Sequence, residues 1–320
     1  MKCLTTNQLS IGARSETGYV RNENQDRMSG LRAPFGNGYI VSDGMGGHRG
    51  GAIAAQLTVE SLTQSLSRIG SASAVPAEIK RAFEEANRTV YEQGHSGTEE
   101  TRGMGATAVV LLVARSRALV AHVGDSRAYI FTQGELRRLT RDHSRVQRMV
   151  DAGMLEPAEA ESHPDANLLE RAIGVSPDVL VDISSWMPLH EGDKILLCSD
   201  GLHGYVQDGE ISALLGNRLT SQELADQLVD LALRKGGEDN ITVQLIEYGR
   251  QRKIGPVPGI GCFTAAFPVA LVISAALAYK VSGYETAVQV ARSLLWGSTR
   301  PPSRIMAKLI SHTLNSRGHC

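Results

Sequence analysis

ATAVVLLVARSRALVAHVGDSRAYIFTQGELRRL, residues 106–139, decides the fold. Three apolar, β-branched runs follow one another: Ala106–Val113, Ala118–Val123 and Arg127–Phe131. Short polar links join them, with no helix between, so neighbouring strands run antiparallel rather than in a doubly wound parallel sheet. Gln133-Gly134 reads as the turn of a hairpin between Arg127–Phe131 and Glu135–Leu139. Further strands are expected at Gly38–Ser42 (GYIVS), Asp193–Cys198 (DKILLC) and Ile241–Tyr248 (ITVQLIEY). Helical spacing runs through Gly50–Ile69, where Ile53, Leu57, Leu62 and Leu66 share a broad face. It also runs through Ala77–Gln93, which starts after Pro76 and stops at Gly94, and Ser221–Lys235, which opens on Ser221 as its cap and ends at Gly236-Gly237. Ala152–Leu169 is polar and contains proline, and is expected to be an excursion with short helices. The architecture is therefore α+β: two antiparallel sheets flanked by helices.

Bulk properties narrow the function. The 320 residues fit one large domain with an appendage, or two domains. A 42% hydrophobic fraction supports a real core, and 21% charged residues argue against global disorder. A formal net charge of −1 gives no general electrostatic case for nucleic acid. Cys3, Cys198, Cys262 and Cys320 form no C-x-x-C pair, which argues against zinc or a disulfide framework and fits a reducing cytoplasm. The opening MKCLTTNQLS lacks the apolar run of a signal peptide.

Aspartates recur at strand ends. Asp43 follows GYIVS, Asp125 follows ALVAHVG, Asp200 follows DKILLCS, Asp239 precedes ITVQLIEY, and Asp26 lies in a polar loop. A single aspartate at a strand end is ordinarily a turn residue. Five are different, because a sheet core holds strand ends in register and lets their loops converge. Converging carboxylates repel unless a cation or a proton joins them. Hard oxygen ligands without histidine or cysteine suit magnesium or manganese. Paired ions of that kind activate water near neutral pH and offset phosphoryl charge, which suits a phosphomonoester held by an arginine. Arg21, close to Asp26, is the candidate, since a guanidinium can grip two phosphate oxygens; taken alone it reads as a solvated surface residue.

Eight segments now line up: RNENQD (Arg21–Asp26), VSDGMGGH (Val41–His48), GMGATAV (Gly103–Val109), AHVGDSRAY (Ala121–Tyr129), LTRDHS (Leu139–Ser144), RAIG (Arg171–Gly174), LLCSDGL (Leu196–Leu202) and GGEDNITV (Gly236–Val243). In this order they resemble the PPM family, the type 2C protein phosphatases, in their bacterial form, over about residues 8 to 248. The resemblance implies a central β-sandwich of two antiparallel sheets with helices outside (α-β-β-α). It implies hydrolysis of phosphoserine and phosphothreonine in proteins, two manganese or magnesium ions with a weaker third, and a serine/threonine kinase of the same cell as counterpart. Asp43 resembles the carboxylate that bridges the two ions, and the Gly44 carbonyl a ligand of the second. Asp200 and Asp239 resemble ligands of the first. Asp26 resembles a metal ligand or an outer carboxylate acting mainly through bound water, Asp125 with Asp200 the third site, and Arg21 the phosphate-binding arginine.

There are departures from the family pattern. Gln25 stands where Asn-Glu-Asp is common, Met45 where animal relatives carry a proposed acid, and Ala52 where bacterial members often show glutamate. His48 is a candidate general acid, since imidazole titrates near neutral pH; it reads equally as a structural hydrogen-bonder at the start of a helix. His143 is expected to order a loop, Cys198 to be core, and Ser126, which lacks a G-x-S-x-G elbow, is not a nucleophile. The alternative function is a pseudophosphatase or a phosphoprotein-binding regulator of the same fold, against which the full set of aspartates and Arg21 argues.

The expected domain layout is a catalytic domain over residues 1–249, a linker over 250–258, a transmembrane helix over 259–279 and a C-terminal tail over 280–320. No charged residue occurs from Gly255 to Tyr279, a length that reaches across a hydrocarbon core of about 30 Å. Arg250, Arg252 and Lys253 just before it suit a cytoplasmic catalytic domain anchored at the inner membrane, while Lys280, Arg292, Arg300, Arg304, Lys308 and Arg317 after it, against only Glu285, leave the charge rule without a clean orientation. The competing reading is a buried or partner-binding tail helix.

Overall fold

The computed structural model describes residues 9–46, 50–160 and 163–249, within a compact unit spanning Met1–Arg252. The chain opens with β1 (Leu9–Glu16), β2 (Arg27–Ala33), β3 (Gly36–Ser42) and a two-residue β4 (Gly44–Met45). Helices α1 (Gly50–Ser67) and α2 (Val75–Ser96) follow. Then come β5 (Gly105–Ala106), β6 (Ala108–Ala114), β7 (Arg117–Val123), β8 (Arg127–Thr132), β9 (Glu135–Arg138) and short helices α3 (Arg145–Asp151) and α4 (Pro157–Ala160). The remainder holds β10 (Asp182–Ile183), β11 (Met187–Pro188), β12 (Lys194–Cys198), α5 (Asp200–His203), α6 (Asp208–Leu215), α7 (Ser221–Arg234) and β13 (Ile241–Tyr248).

Two antiparallel sheets carry the domain. One has the order β1-β13-β12-β8-β9. The other has the order β10-β7-β6-β3-β2, with β11 also on β7, and β4 pairs with β5 apart from both. The central strands feed two hydrophobic layers by alternation. Val109, Leu111 and Val113 of β6 face Ile195, Leu197 and Ile246 across the space between the sheets. Ala108, Val110 and Leu112 of the same strand face Leu62, Phe83 and Val90 of α1 and α2. The other sheet packs Leu196, Val243 and Leu245 against Leu224, Leu228 and Val229 of α7. The layers are thus helix, sheet, sheet, helix, which is the expected α-β-β-α sandwich. Burial on both faces explains why β6 reads as an unbroken apolar run. Burying its five Val and Leu side chains contributes on the order of 10 kcal/mol, before the entropy of ordering.

The hairpin turn stands as expected. Gln133 and Gly134 both have positive φ, 53° and 87°, joining Thr132 to Glu135 in a two-residue loop whose twist matches the strands. Four details differ from the sequence reading. The run Ala106–Val113 is two strands broken at Thr107. Helix α2 continues past Gly94, which is buried where a side chain would meet Thr101 and Met104. The cap of α7 is Thr220, in a capping box with Glu223, rather than Ser221. Strands β1 and β2 had no apolar signal, yet pair along their whole length with β13 and β3. Among the described residues no helix is long and apolar enough to cross a membrane. The expected linker 250–258, membrane helix 259–279 and tail 280–320 lie outside the described residues.

Candidate metal centre

Five segments at strand ends, one for each of Asp26, Asp43, Asp125, Asp200 and Asp239, bring the aspartates together. Asp43 leaves β3 and is gripped through its backbone by the residue that interrupts the β6 run. Asp43 N–H donates to Thr107 Oγ1 at 2.9 Å, and Thr107 N–H donates to the Asp43 carbonyl at 2.8 Å. Ser42 Oγ donates to the Thr107 carbonyl at 2.6 Å, and Thr107 Oγ1 pairs with buried Ser126 Oγ at 2.7 Å. The break in the strand is therefore what aims Asp43.

Asp26, 3% exposed, ends the polar loop before β2 and accepts from Ser199 Oγ at 2.7 Å. Ser199 Oγ also accepts from Thr242 N–H at 3.0 Å, so one hydroxyl links the start of α5 to β13 and to Asp26. Asp200 follows as the first residue of α5. Asn240 ties the polar loop to the start of β13. Its Nδ2 donates to the Thr17 and Glu23 carbonyls at 2.9 and 3.1 Å, and its Oδ1 accepts from Gln25 N–H at 2.7 Å. That staple sets Arg21 beside Asp239, Nη2 to Oδ2 at 2.7 Å.

The electrostatics record the crowding. Burial, then the charges of Asp26, Asp200 and Asp125, push the Asp43 carboxyl well above the usual carboxylate range. Burial raises Asp26 to about 7, and Asp200 adds to it. Burial followed by Asp200 raises Asp125, and burial followed by Asp239 raises Asp200. Among the buried side-chain atoms, Asp26 Oδ1 and Asp200 Oδ1 have no hydrogen-bond partner. Buried carboxylate oxygens without donors, in a cluster made only of hard oxygen ligands, fit divalent ions of the magnesium or manganese type. Gly44, the other expected ligand, is buried beside Asp43 and pairs with Ala106. His48 lies outside the described residues.

A groove of about 790 Å³ runs from Asp125, Asp200 and Asp239 toward Val146, Val150 and Pro157 of the excursion after β9. Arg127 and Asp142 form an ion pair at 2.7 Å in its wall, joined by Arg138. Asp142, a turn or cap residue by default from its sequence, is thus a pairing residue held below its usual pKa by Arg127 against the effect of burial. A second cluster, His122, His143 and Asp182, falls within 4.8 Å, but its ligand atoms are already engaged by neighbouring protein groups. Gly124 N–H donates to His143 Nδ1 at 3.2 Å, and His143 Nε2 lies 3.2 Å from both Asp182 and Arg171 Nη1. Arg171 also occupies Asp182 at 2.8 Å, and His122 Nε2 is bonded to the Arg141 carbonyl at 2.8 Å. His143 instead orders the base of the excursion. The reading from sequence had no role for Thr107, Ser199 or Asn240; the last lay in plain view within GGEDNITV.

Comparison with known proteins follows the same outline. The family model described as protein phosphatase 2C matches residues 19–247. Serine/threonine phosphatase stp of Listeria innocua is 34% identical over 247 residues, which is 75% of this chain and 96% of the relative. The S. agalactiae serine/threonine phosphatase structure superposes with a TM-score of 0.71 at 35% identity, covering 75% of this chain and 99% of that one. The catalytic domain of the serine/threonine protein phosphatase PstP, solved in complex with two manganese ions, gives a TM-score of 0.67 at 34% identity over 77% and 100% of the two chains.

Proposed function

Because the chain belongs to the protein phosphatase 2C family, we propose that its converged aspartates hold two manganese or magnesium ions and a weaker third for the dephosphorylation it performs. The enzyme is a protein-serine/threonine phosphatase that uses divalent metal. The observation that carries the assignment of residues is the cluster itself: carboxylates from separate loops, two of their buried oxygens without donors, and an arginine at the rim.

In this reading Asp43 would be shared by the two ions, Asp200 and Asp239 would hold the first, the Gly44 carbonyl would hold the second, and Asp26 would act mainly through water. Asp125 with Asp200 forms the outer position. When bound, the ions supply an activated water nucleophile and offset the charge of the phosphoryl group. Arg21 orients the substrate. It spends one Nη2 hydrogen on Asp239, and a guanidinium has five N–H donors, so others are left for phosphate oxygens. Asp239 also holds Arg21 in place, so the phosphate-binding cation is registered to the carboxylates. The groove leads away from this point beneath the excursion and receives the protein that carries the phosphoserine or phosphothreonine. A serine/threonine kinase of the same cell supplies such substrates. A pseudophosphatase reading has no observation in its favour.

The test is hydrolysis of p-nitrophenyl phosphate and of a phosphoserine peptide by the full chain. Chelation is expected to stop phosphate release, and manganese or magnesium to restore it. Arg21→Ala is expected to raise KM about tenfold or more, the loss of one charge-assisted contact, and to weaken inhibition by free phosphate. Unchanged KM and phosphate inhibition in that variant would remove Arg21 from the site.

The anchor at 259–279 belongs to the same proposal, on the length of its uncharged run and the basic residues before it. With it, the catalytic domain stands in the cytoplasm at the inner membrane. The full chain is expected to pellet with membranes and resist carbonate extraction. Recovery in the supernatant without detergent rejects the anchor.

A further inference from the structure

We infer that His203 is a positioning residue, which fixes the outer metal position by tying the turn of Asp125 to the helix of Asp200. The inference rests on the proposed pairing of Asp125 with Asp200 at that position. Asp125 sits in the turn between β7 and β8, after Gly124, whose φ of +100° suits a residue without a side chain. A turn of this kind has little to hold it unless its backbone groups are bonded. Here both residues are held. His143 N–H donates to the Gly124 carbonyl at 3.0 Å, and Gly124 N–H donates to His143 Nδ1 at 3.2 Å. The carbonyl of Asp125 itself accepts from His203 Nε2 at 3.0 Å.

The place of His203 in the chain gives this last bond its meaning. Asp200 is the first residue of α5 and His203 the last. The imidazole therefore spans from the element that carries one carboxylate to the backbone of the other. Its bond is to the main chain of Asp125 rather than to either carboxylate, so it acts on their separation. Burial and the neighbouring Arg127 hold the ring neutral, with a pKa lowered to about 3, and the contact with a carbonyl oxygen assigns its single proton to Nε2. Gly204 N–H bonds back to the Asp200 carbonyl at 2.8 Å, so the helix turn behind the ring is closed. Groups that orient metal ligands in this way typically alter affinity by about 10- to 100-fold when removed.

The experiment is a manganese titration of the full chain, followed by calorimetry and by the electron paramagnetic resonance signal of free ion. The chains compared are wild type, Asp125→Ala, His203→Leu, His203→Asn and His203→Gln. Wild type is expected to show a tight class and a weaker class of ions, and Asp125→Ala to lose the weaker class. His203→Leu is expected to weaken that class about tenfold or more while leaving the tight class unchanged. His203→Asn, whose amide is set back from the Nε2 position, gives the same loss and replaces the leucine variant if that chain does not fold. His203→Gln, whose amide reaches further, recovers most of the affinity. Weaker-class affinity within twofold of wild type in the folded leucine or asparagine variant overturns the inference. So does equal weakening of both classes, or a glutamine variant no better than leucine, since either marks a purely structural residue. Retention of the weaker class by Asp125→Ala instead overturns the assignment of Asp125 on which the inference rests.

Discussion

Asp43→Asn is expected to lower turnover by about a thousandfold at saturating manganese while the domain stays folded. Several kcal/mol of transition-state stabilisation come from metal catalysis, and each factor of ten in rate is about 1.4 kcal/mol. The exchange is nearly isosteric and removes one negative charge from the middle of the cluster, where Asp26, Asp200 and Asp125 all act on the carboxyl. An amide cannot serve two cations with the same charge. The backbone of Asp43 is held by Thr107, not by its own carboxylate, so the path of the strand end does not rest on the side chain alone. With the crowding of like charges relieved, the metal-free variant is expected to melt no lower than the metal-free wild type. Retention of more than about a tenth of the wild-type rate would sink the assignment of Asp43, a loss of at most about 1.4 kcal/mol being too small for a bridging ligand.

The second large effect is expected at Gly44. A methyl group there would lie 2.0 Å from the Gly51 carbonyl oxygen and 3.0 Å from that of Gln25. Both neighbours are backbone, so no side chain can rotate out of the way. Gly44→Ala must push β4 off the first turn of α1, and β4 begins one residue after Asp43. Overpacking of this kind costs about 3 kcal/mol, which for a domain of this size lowers Tm by about 6–12 °C, and turnover is expected to fall at least tenfold as Asp43 is displaced. Gly70→Ala is the control. A methyl group there meets nothing within 4 Å, and stability is expected to stay within about 0.5 kcal/mol of wild type. Equal melting temperatures for the two variants, measured by circular dichroism, would show that the close approach of β4 and α1 relaxes freely.

What could be read from the sequence was what local pattern dictates. Central strands such as Lys194–Cys198 and Ile241–Tyr248 are buried along their whole length, so composition alone exposed them. Asp43, Asp125, Asp200 and Asp239 were legible because each lies beside such a strand, and sheets bring strand ends together; Asp26 stood out only within a polar loop. The groups that aim them were not. Thr107, Ser199 and Asn240 act through bonds to residues far away in the chain: Thr107 to Asp43, Ser199 to Asp26, Asn240 to Thr17 and Glu23. No spacing rule connects such pairs. Helix α5 is four residues long, too short for any periodicity to announce it. Strands β1 and β2 read LSIGARSE and RMSGLRA, and their place in the sheets comes from partners rather than from their own apolar content.

The pairing of β1 with β13 has a consequence for the making of the protein. Strand β13 lies between β1 and β12, so the last strand of the domain to leave the ribosome is an inner member of its sheet. At bacterial rates of synthesis, up to about 20 residues per second, the segment Leu9–Glu16 waits on the order of ten seconds for its partner. An apolar segment exposed for that long invites pairing with the wrong chain. This one carries Arg14, Glu16, Ser10 and Ser15 among its eight residues. The polar composition that hid β1 from pattern reading keeps the nascent chain from aggregating until Ile241–Tyr248 arrives beside it.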